Sequence, residues 1–589
     1  MTDLPIKREG TAGQVDSPTV GTRSAVLFSA VAFVALAALF SVVLRDPKPQ
    51  NSSIVPTNQV AVTNSAGENS EAWYCPGPLP VGSWPSSYSS VYLTNLGKSA
   101  LNITAVVANS LSGNVDKVNV AISPGSGTVI SLSRKLPKSF AALSVMANGP
   151  GLAVTEVVDG PDGESSASCV NSAARTTALP SGSTLNGKNI NLSLYNPAPT
   201  AAVVNVGVNV LNARDQQESL APAALQGITL SPGQVKTLDV GRSIPQEPSV
   251  GLVLHAVGGK IAGGAQLIDP GFANLGEGSL VTAAVPTANR WMFPPAPAGY
   301  RDLNTYSVFN PNSRTVKISL SFISGVSKAT SHVSLPPNSE TVLAPSVYSP
   351  PPSLGGIKIT GSPKSQLSAR DQAYKFLVGR QTPEMVSVEV KEHSSLPLVI
   401  ERTLTVVVPG KSNPASLSPS AVRIIHAYAN ETALATAGRL GVSSISRADV
   451  NAVTTLPVLP AGTATVNALR APAQKWLVLP GSSDSRVGQL LTLYNPGGRT
   501  AKVKLFRIHM ANALAPSGTA GGSSHAQPPF ITLELPGHTE AEVDPDYLIG
   551  EPGPLGVEVV SRRKIIAGNI DYSRGNGMGI SLSNALPIG

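Results

Sequence analysis

The chain has 589 residues, of which 42% are hydrophobic, 13% charged and 5% aromatic, with 54 Gly and 51 Pro spread along it. That profile argues against helical bundles and coiled coils, which need many Glu, Lys, Arg and Leu, and against disorder, which needs more charge and less apolar content. The net charge of +8 is weak for this length and the basic residues are mostly isolated, so nucleic acid is not an expected partner.

In chain order, residues 1–23 read as a cytoplasmic tail and residues 24–44 (SAVLFSAVAFVALAALFSVVL) as a transmembrane helix. Its 21 residues hold no charge, Pro or Gly. As a helix they rise about 30 Å, enough to cross a bilayer core. A cleaved signal peptide is the rival reading, since Ala35-Leu36-Ala37 has the small-x-small form, but a 23-residue leader before the apolar run is long. Lys7, Arg8 and Arg23 precede the span; Arg45 and Lys48 follow it. This small bias places the N-terminus inside and the bulk of the chain outside. Residues 45–70, with Pro47, Pro49 and Pro56 among many Ser and Asn, read as a flexible linker.

The remainder repeats. Three landmarks recur in order: a lead phrase (EAWYCPGPLP, ARTTALP, ANRWMFPPA, AQKWLVLPG), an Asn-centred turn (Asn95, Asn196, Asn310, Asn495) that launches an alternating strand, and a Pro-Gly-type turn. Each repeat then ends in two apolar runs around a turn, read as a half-buried hairpin. The expected fold is all-β: tandem immunoglobulin-like β-sandwiches over 71–173, 174–287, 288–472 and 473–589, with a barrel as the alternative. The third repeat carries an insertion, mainly 406–471, where AVRIIHAYANETALATAGRL reads as a strand plus a short helix. Trp73, Trp291 and Trp476, each at the start of a repeat, read as core plugs rather than sugar platforms.

Two cysteines, Cys75 and Cys169, are too few for a cysteine-ligated metal site. In a chain leaving the cytosol they suggest one disulfide, two free buried thiols being the alternative. Residues 290–514 hold 23 Lys or Arg against 10 Asp or Glu, and Arg562-Arg563-Lys564 is the densest basic run. It is the candidate charged contact for anionic envelope polymer or lipid headgroups. No catalytic, cofactor or metal residue emerges. Gly410-Lys411-Ser412 lacks the earlier Gly and the following helix of a phosphate loop, and Gly575 to Gly579 lacks dinucleotide spacing. His255, His332, His393, His426, His509, His525 and His538 form no zinc-type pair, and Asp159, Asp162 and Glu164 read as a turn.

The anchor, the Trp73-Tyr74-Cys75-Pro76-Gly77 phrase, the repeated Asn-Pro turns and a second Cys late in the first repeat resemble a family of uncharacterised envelope proteins of high-GC Gram-positive bacteria. The resemblance implies an exported protein tethered by residues 24–44. Three functions follow as expectations: a non-catalytic scaffold that meets envelope polysaccharide or another envelope protein, a polysaccharide- or peptidoglycan-binding protein, and an enzyme with its site in 406–471.

Overall fold

Runs in which apolar residues alternate with small or polar ones become strands, and the computed structural model is all-β. It describes residues 70–82, 88–111, 113–132, 136–160, 163–211, 217–269, 278–287, 290–298, 302–324, 327–347, 384–406, 423–427, 462–479, 487–512, 528–545, 556–573 and 580–588. The tail, the span 24–44, the linker up to residue 69, the Gly410-Lys411-Ser412 phrase and the 575–579 glycines lie outside them. No helix among the described residues is long and apolar enough to cross a membrane.

The first repeat has eight strands: Glu71–Val81, Tyr88–Asn95, Leu101–Asn109, Gly113–Ile122, Ser126–Ser131, Ser139–Ala147, Leu152–Gly160 and Gly163–Ser168. One sheet orders them first, sixth, third, fourth; the other orders them fifth, second, seventh, eighth. The same two orders recur in every repeat. In the second repeat the fourth strand is split into Gln217–Leu220 and Ile228–Leu230, both paired with the third. In the fourth repeat one long strand, Gly556–Ser573, serves as sixth in one sheet and seventh in the other.

The two closing runs are therefore not a hairpin. In all four repeats they lie in opposite sheets, so the chain crosses the sandwich between them. Alternation shows that each run buries one face, but it is silent on which sheet buries it. Within the insertion the expected strand is present, and the stretch expected to form a short helix lies outside the described residues. Val399–Val406 and Gly462–Asn467 are the ordinary seventh and eighth strands, and from the inserted stretch Arg423–Ala427 adds a parallel edge strand beside Ser339–Val347.

The landmark asparagines are fully buried and join two turns. Asn95 Nδ2 donates to Ser99 O (2.8 Å) and to Ile122 O (2.9 Å), while its Oδ1 accepts Gly97 N–H (2.9 Å). Asn196, Asn310 and Asn495 repeat the pattern onto Leu230, Leu335 and Leu535. Each side chain thus pins the turn it starts to the end of the fourth strand. The turn that follows needs a left-handed residue, supplied by Gly125 (φ 68), Gly233 (φ 69), Asn338 (φ 46) and His538 (φ 58).

The described residues fall in one compact unit, and its repeats are not a simple row. The eighth strands, Gly163–Ser168, Gly278–Thr282, Gly462–Asn467 and Ile580–Asn584, contact one another in a closed cycle, first to second to third to fourth to first. Ser165 Oγ accepts Leu280 N–H, Ser279 Oγ accepts Thr465 N–H at 2.6 Å, and Ser581 Oγ accepts Ser166 N–H at 3.0 Å. Head-to-tail contacts that close in this way make a ring. The seam between fourth and first repeats is a parallel ladder, His509 to Asn512 against Ser126 to Val129. Buried Tyr92, Val157, Leu477, Ile508 and Leu586 pack beside it.

Candidate functional site

With the eighth strands turned to the ring interior, the sheet of first, sixth, third and fourth strands buries part of its outer face against a neighbouring repeat and leaves the rest in solvent. Those outer faces share a backbone but differ in side chains, which makes them the candidate sites.

On the fourth repeat the face is cationic. Lys504 and Lys475 flank Val560 from the two neighbouring strands, and Lys502 lies two residues before Lys504 on the same face. Arg562, Arg563 and Lys564 sit where Gly556–Ser573 bends from one sheet into the other, and all three are exposed. The bend is held by Gln474 Nε2 donating to Arg562 O at 2.8 Å and Arg563 Nε donating to Thr500 O at 3.2 Å. Among the described residues none of these six cations is in an ion pair. Glu534 and Glu558 are the acids on the same sheet. Alternation with Val503 and Leu505 already turns Lys502 and Lys504 to water in the sequence; that they and Lys475 share one sheet with the triplet comes from strand register.

Cys75 and Cys169 form the disulfide, with Cα atoms 4.5 Å apart. Cys169 follows the eighth strand, so the bond ties the first strand of one sheet to the end of the other through the Trp73 core. The buried Glu156 carboxylate lies within 4.8 Å of both sulfurs, but sulfurs spent on each other leave a single carboxylate and no ligand set. Trp73, Trp291 and Trp476 are all buried in cores. Of the seven histidines, His332 and His393 come together on the third repeat; His525 lies outside the described residues, as do the side chains of His426 and His509. Asp162 is likewise outside them, and Glu164 is buried.

Buried ionisable groups lie in the first repeat's core and at the joints rather than on the outer faces. Gly77 N–H donates to Glu156 Oε2 at 3.0 Å, and desolvation pushes that carboxyl up to about 8. Glu401, which accepts Ser181 N–H at 2.9 Å across the second-to-third joint, is raised by burial to about 8. Glu340 accepts Ser249 Oγ–H at 2.8 Å across the same joint and is pushed well up by burial, with Glu401 adding repulsion. Glu540 repeats this at the next joint, taking Ser387 N–H at 2.8 Å. The equivalent fifth-strand residue at the first joint is Val235, packed with Ala142. Glu401, Glu340 and Glu540 act as cross-repeat acceptors, whereas Glu156 accepts within the first repeat.

No protein-family model matches this chain, and no curated protein matches it.

Proposed function

We propose that this protein is a non-catalytic scaffold of the cell envelope, anchored by residues 24–44 with its N-terminus in the cytoplasm and its repeats outside. Its fourth repeat lays a basic face on an anionic envelope polymer. The observation that carries the reading is the gathering of Lys475, Lys502, Lys504, Arg562, Arg563 and Lys564 on one outer sheet and its corner. Cations held outside ion pairs attract a polyanion and make the contact salt-sensitive. The buried disulfide suits an oxidising compartment, and the resemblance to exported envelope proteins agrees with it. Each sandwich is read as an immunoglobulin-related unit in which first and seventh strands have exchanged sheets.

A specific observation favours a second reading, a neutral glycan on the first repeat. Its outer face sets Asn102, Thr104, Asn119 and Asn148 around Met146, which is 53% exposed.

Sedimentation of the full-length chain in detergent with purified cell wall separates the two. Reversing the triplet (Arg562→Glu, Arg563→Glu, Lys564→Glu) lowers retention about tenfold at low salt, and added salt does the same. Retention indifferent to both salt and charge reversal overturns the basic-face reading. Loss with Asn119→Ala and Met146→Ala instead supports the glycan reading.

A further inference from the structure

The outer face of the third repeat brings together two imidazoles that lie far apart in sequence. Ser319 stands on the third strand, Val316–Ser324, with His332 directly opposite it on the fourth and Lys391 opposite on the sixth. His393 follows the end of that sixth strand. His332 Nδ1 lies 3.0 Å from Ser319 Oγ, and His393 Nε2 lies 2.6 Å from the same oxygen. Both rings are exposed, while Ser319 is buried. The scaffold does not require histidine here. At the equivalent places the first repeat has Thr104, Asn119 and Asn148, with Thr104 Oγ1 donating to Asn119 Oδ1 at 2.9 Å.

A single hydroxyl proton serves one of the two rings, so the other ring must be the N–H donor. A tautomer shift in that donor ring, moving its proton to the far nitrogen, aims both lone pairs at one spot. No proton is lost to solvent in that step. Bonds from an imidazole nitrogen to a late transition metal are about 2.0–2.1 Å long, within reach of exposed rings that already converge on one atom. We infer that His332 and His393 chelate a divalent late transition-metal ion, Cu(II) ahead of Zn(II) in the usual order of stability, with Ser319 Oγ behind it and water completing the shell. Lys391 and Lys317 lie on the same face. Their charge opposes the metal ion, so affinity is moderate and rises with ionic strength.

The test is calorimetric titration of the full-length chain in detergent micelles with Cu(II), and separately with Zn(II), in a non-coordinating buffer. The spin-resonance spectrum of the Cu(II) adduct at one equivalent is recorded alongside. The intact chain shows two equatorial nitrogens. His332→Ala and His393→Ala each remove one nitrogen and weaken binding about tenfold or more. Neither changes the melting temperature, because both rings are on the surface. Ser319→Ala keeps both nitrogens and loses less affinity than either histidine variant. His255→Ala, which removes a single imidazole beside Thr176 Oγ1, changes nothing. The inference fails if the intact chain binds neither metal, if the two-nitrogen spectrum survives either histidine substitution, or if His255→Ala abolishes it.

Discussion

The first and third repeats close the same corner of the same sandwich by different chemistry. In the first, Cys75 on the leading strand bonds Cys169 after the eighth. In the third, strand register puts Phe293 and Ala468 at those two positions, both buried in one core. Phe293 packs edge-on to Tyr306 at 5.4 Å, and the Arg402 guanidinium lies 5.4 Å over its ring. The second and fourth repeats follow the third in kind, with Leu179 and Ala283, and Val478 and Ala585, in their cores. One place in the fold thus accepts a covalent bond or a large residue against a small one. The seventh strand shows the same freedom with charge. Glu156 accepts from the proline-rich bulge of the leading strand at Gly77, whereas Arg402, at the equivalent position, donates to Pro294 O at 2.6 Å. Proline removes backbone donors and forces the strand off its sheet, so the bulge needs a side-chain partner, and either sign of charge serves.

The largest expected effect comes from removing the covalent version. The disulfide spans a sequence separation of 94, for which the chain-entropy view gives about 4–5 kcal/mol. Cys75→Ser with Cys169→Ser lowers unfolding stability by about that amount. Importing the second repeat's solution, Cys75→Leu with Cys169→Ala, recovers the burial of a leucine, about 1.5–3 kcal/mol. Denaturant melts of the three proteins check the ranking. Equal losses in the two variants would mean that the corner is not interchangeable after all.

The charged versions differ in their response to pH. Burial raises Glu156 from 4.5 to about 8 in the folded chain. Between those values the folded state holds a proton that the unfolded state has released, so stability falls as pH rises, and the loss is complete above about 8. For one fully buried carboxyl it is on the order of 5 kcal/mol. Glu401 and Glu340 act in the same direction. Glu156→Gln keeps an acceptor for Gly77 N–H and removes one part of the slope. Melts at pH 5 and pH 9 should therefore differ less in the variant than in the wild type. An unchanged difference would mean that Glu156 carries no share of it.

How much of this was legible in the sequence follows from what each signal encodes. The asparagine and Pro-Gly landmarks predicted turns, and the structure joins them through buried amides such as Asn495 to Leu535 O. The closing runs were visible as strands, but their sheets were not, because alternation is a property of one strand and sheet membership a property of its partners. The eighth strands went unread: GESSAS, GSLVT, GTATVN and ISLSN are short and hydroxyl-rich, and look like turns. The ring was hidden for the same reason, since its bonds run between those strands. The basic triplet could be seen, but Lys475 and Lys504 join it across strand register, as do His332 and His393 across Ser319.

The ring offers the finest comparison, because one of its four equivalent places breaks the pattern. Ser165, Ser279 and Ser581 occupy the same register position on their eighth strands and each accepts the backbone N–H of a neighbouring eighth strand. The third repeat has Ala464 there, and the fourth repeat's Leu582 holds the register position of the donors Leu280, Thr465 and Ser166. Ala464→Ser places at that step the hydroxyl acceptor the other three steps have, and should stabilise by about 1 kcal/mol, a hydrogen bond's usual net worth. Ser279→Ala, which strips Thr465 N–H of its acceptor, should cost about the same or slightly more, because a buried donor is left without a partner. Amide exchange at Leu582 and Thr465 reads both changes locally: protection rises at Leu582 in the first variant and falls at Thr465 in the second. If Ala464→Ser leaves Leu582 exchange unchanged while Ser279→Ala still exposes Thr465, the ring is not cyclically equivalent at its third-to-fourth step, and the strand contacts there are held by Asn584 Nδ2 donating to Asn467 O instead.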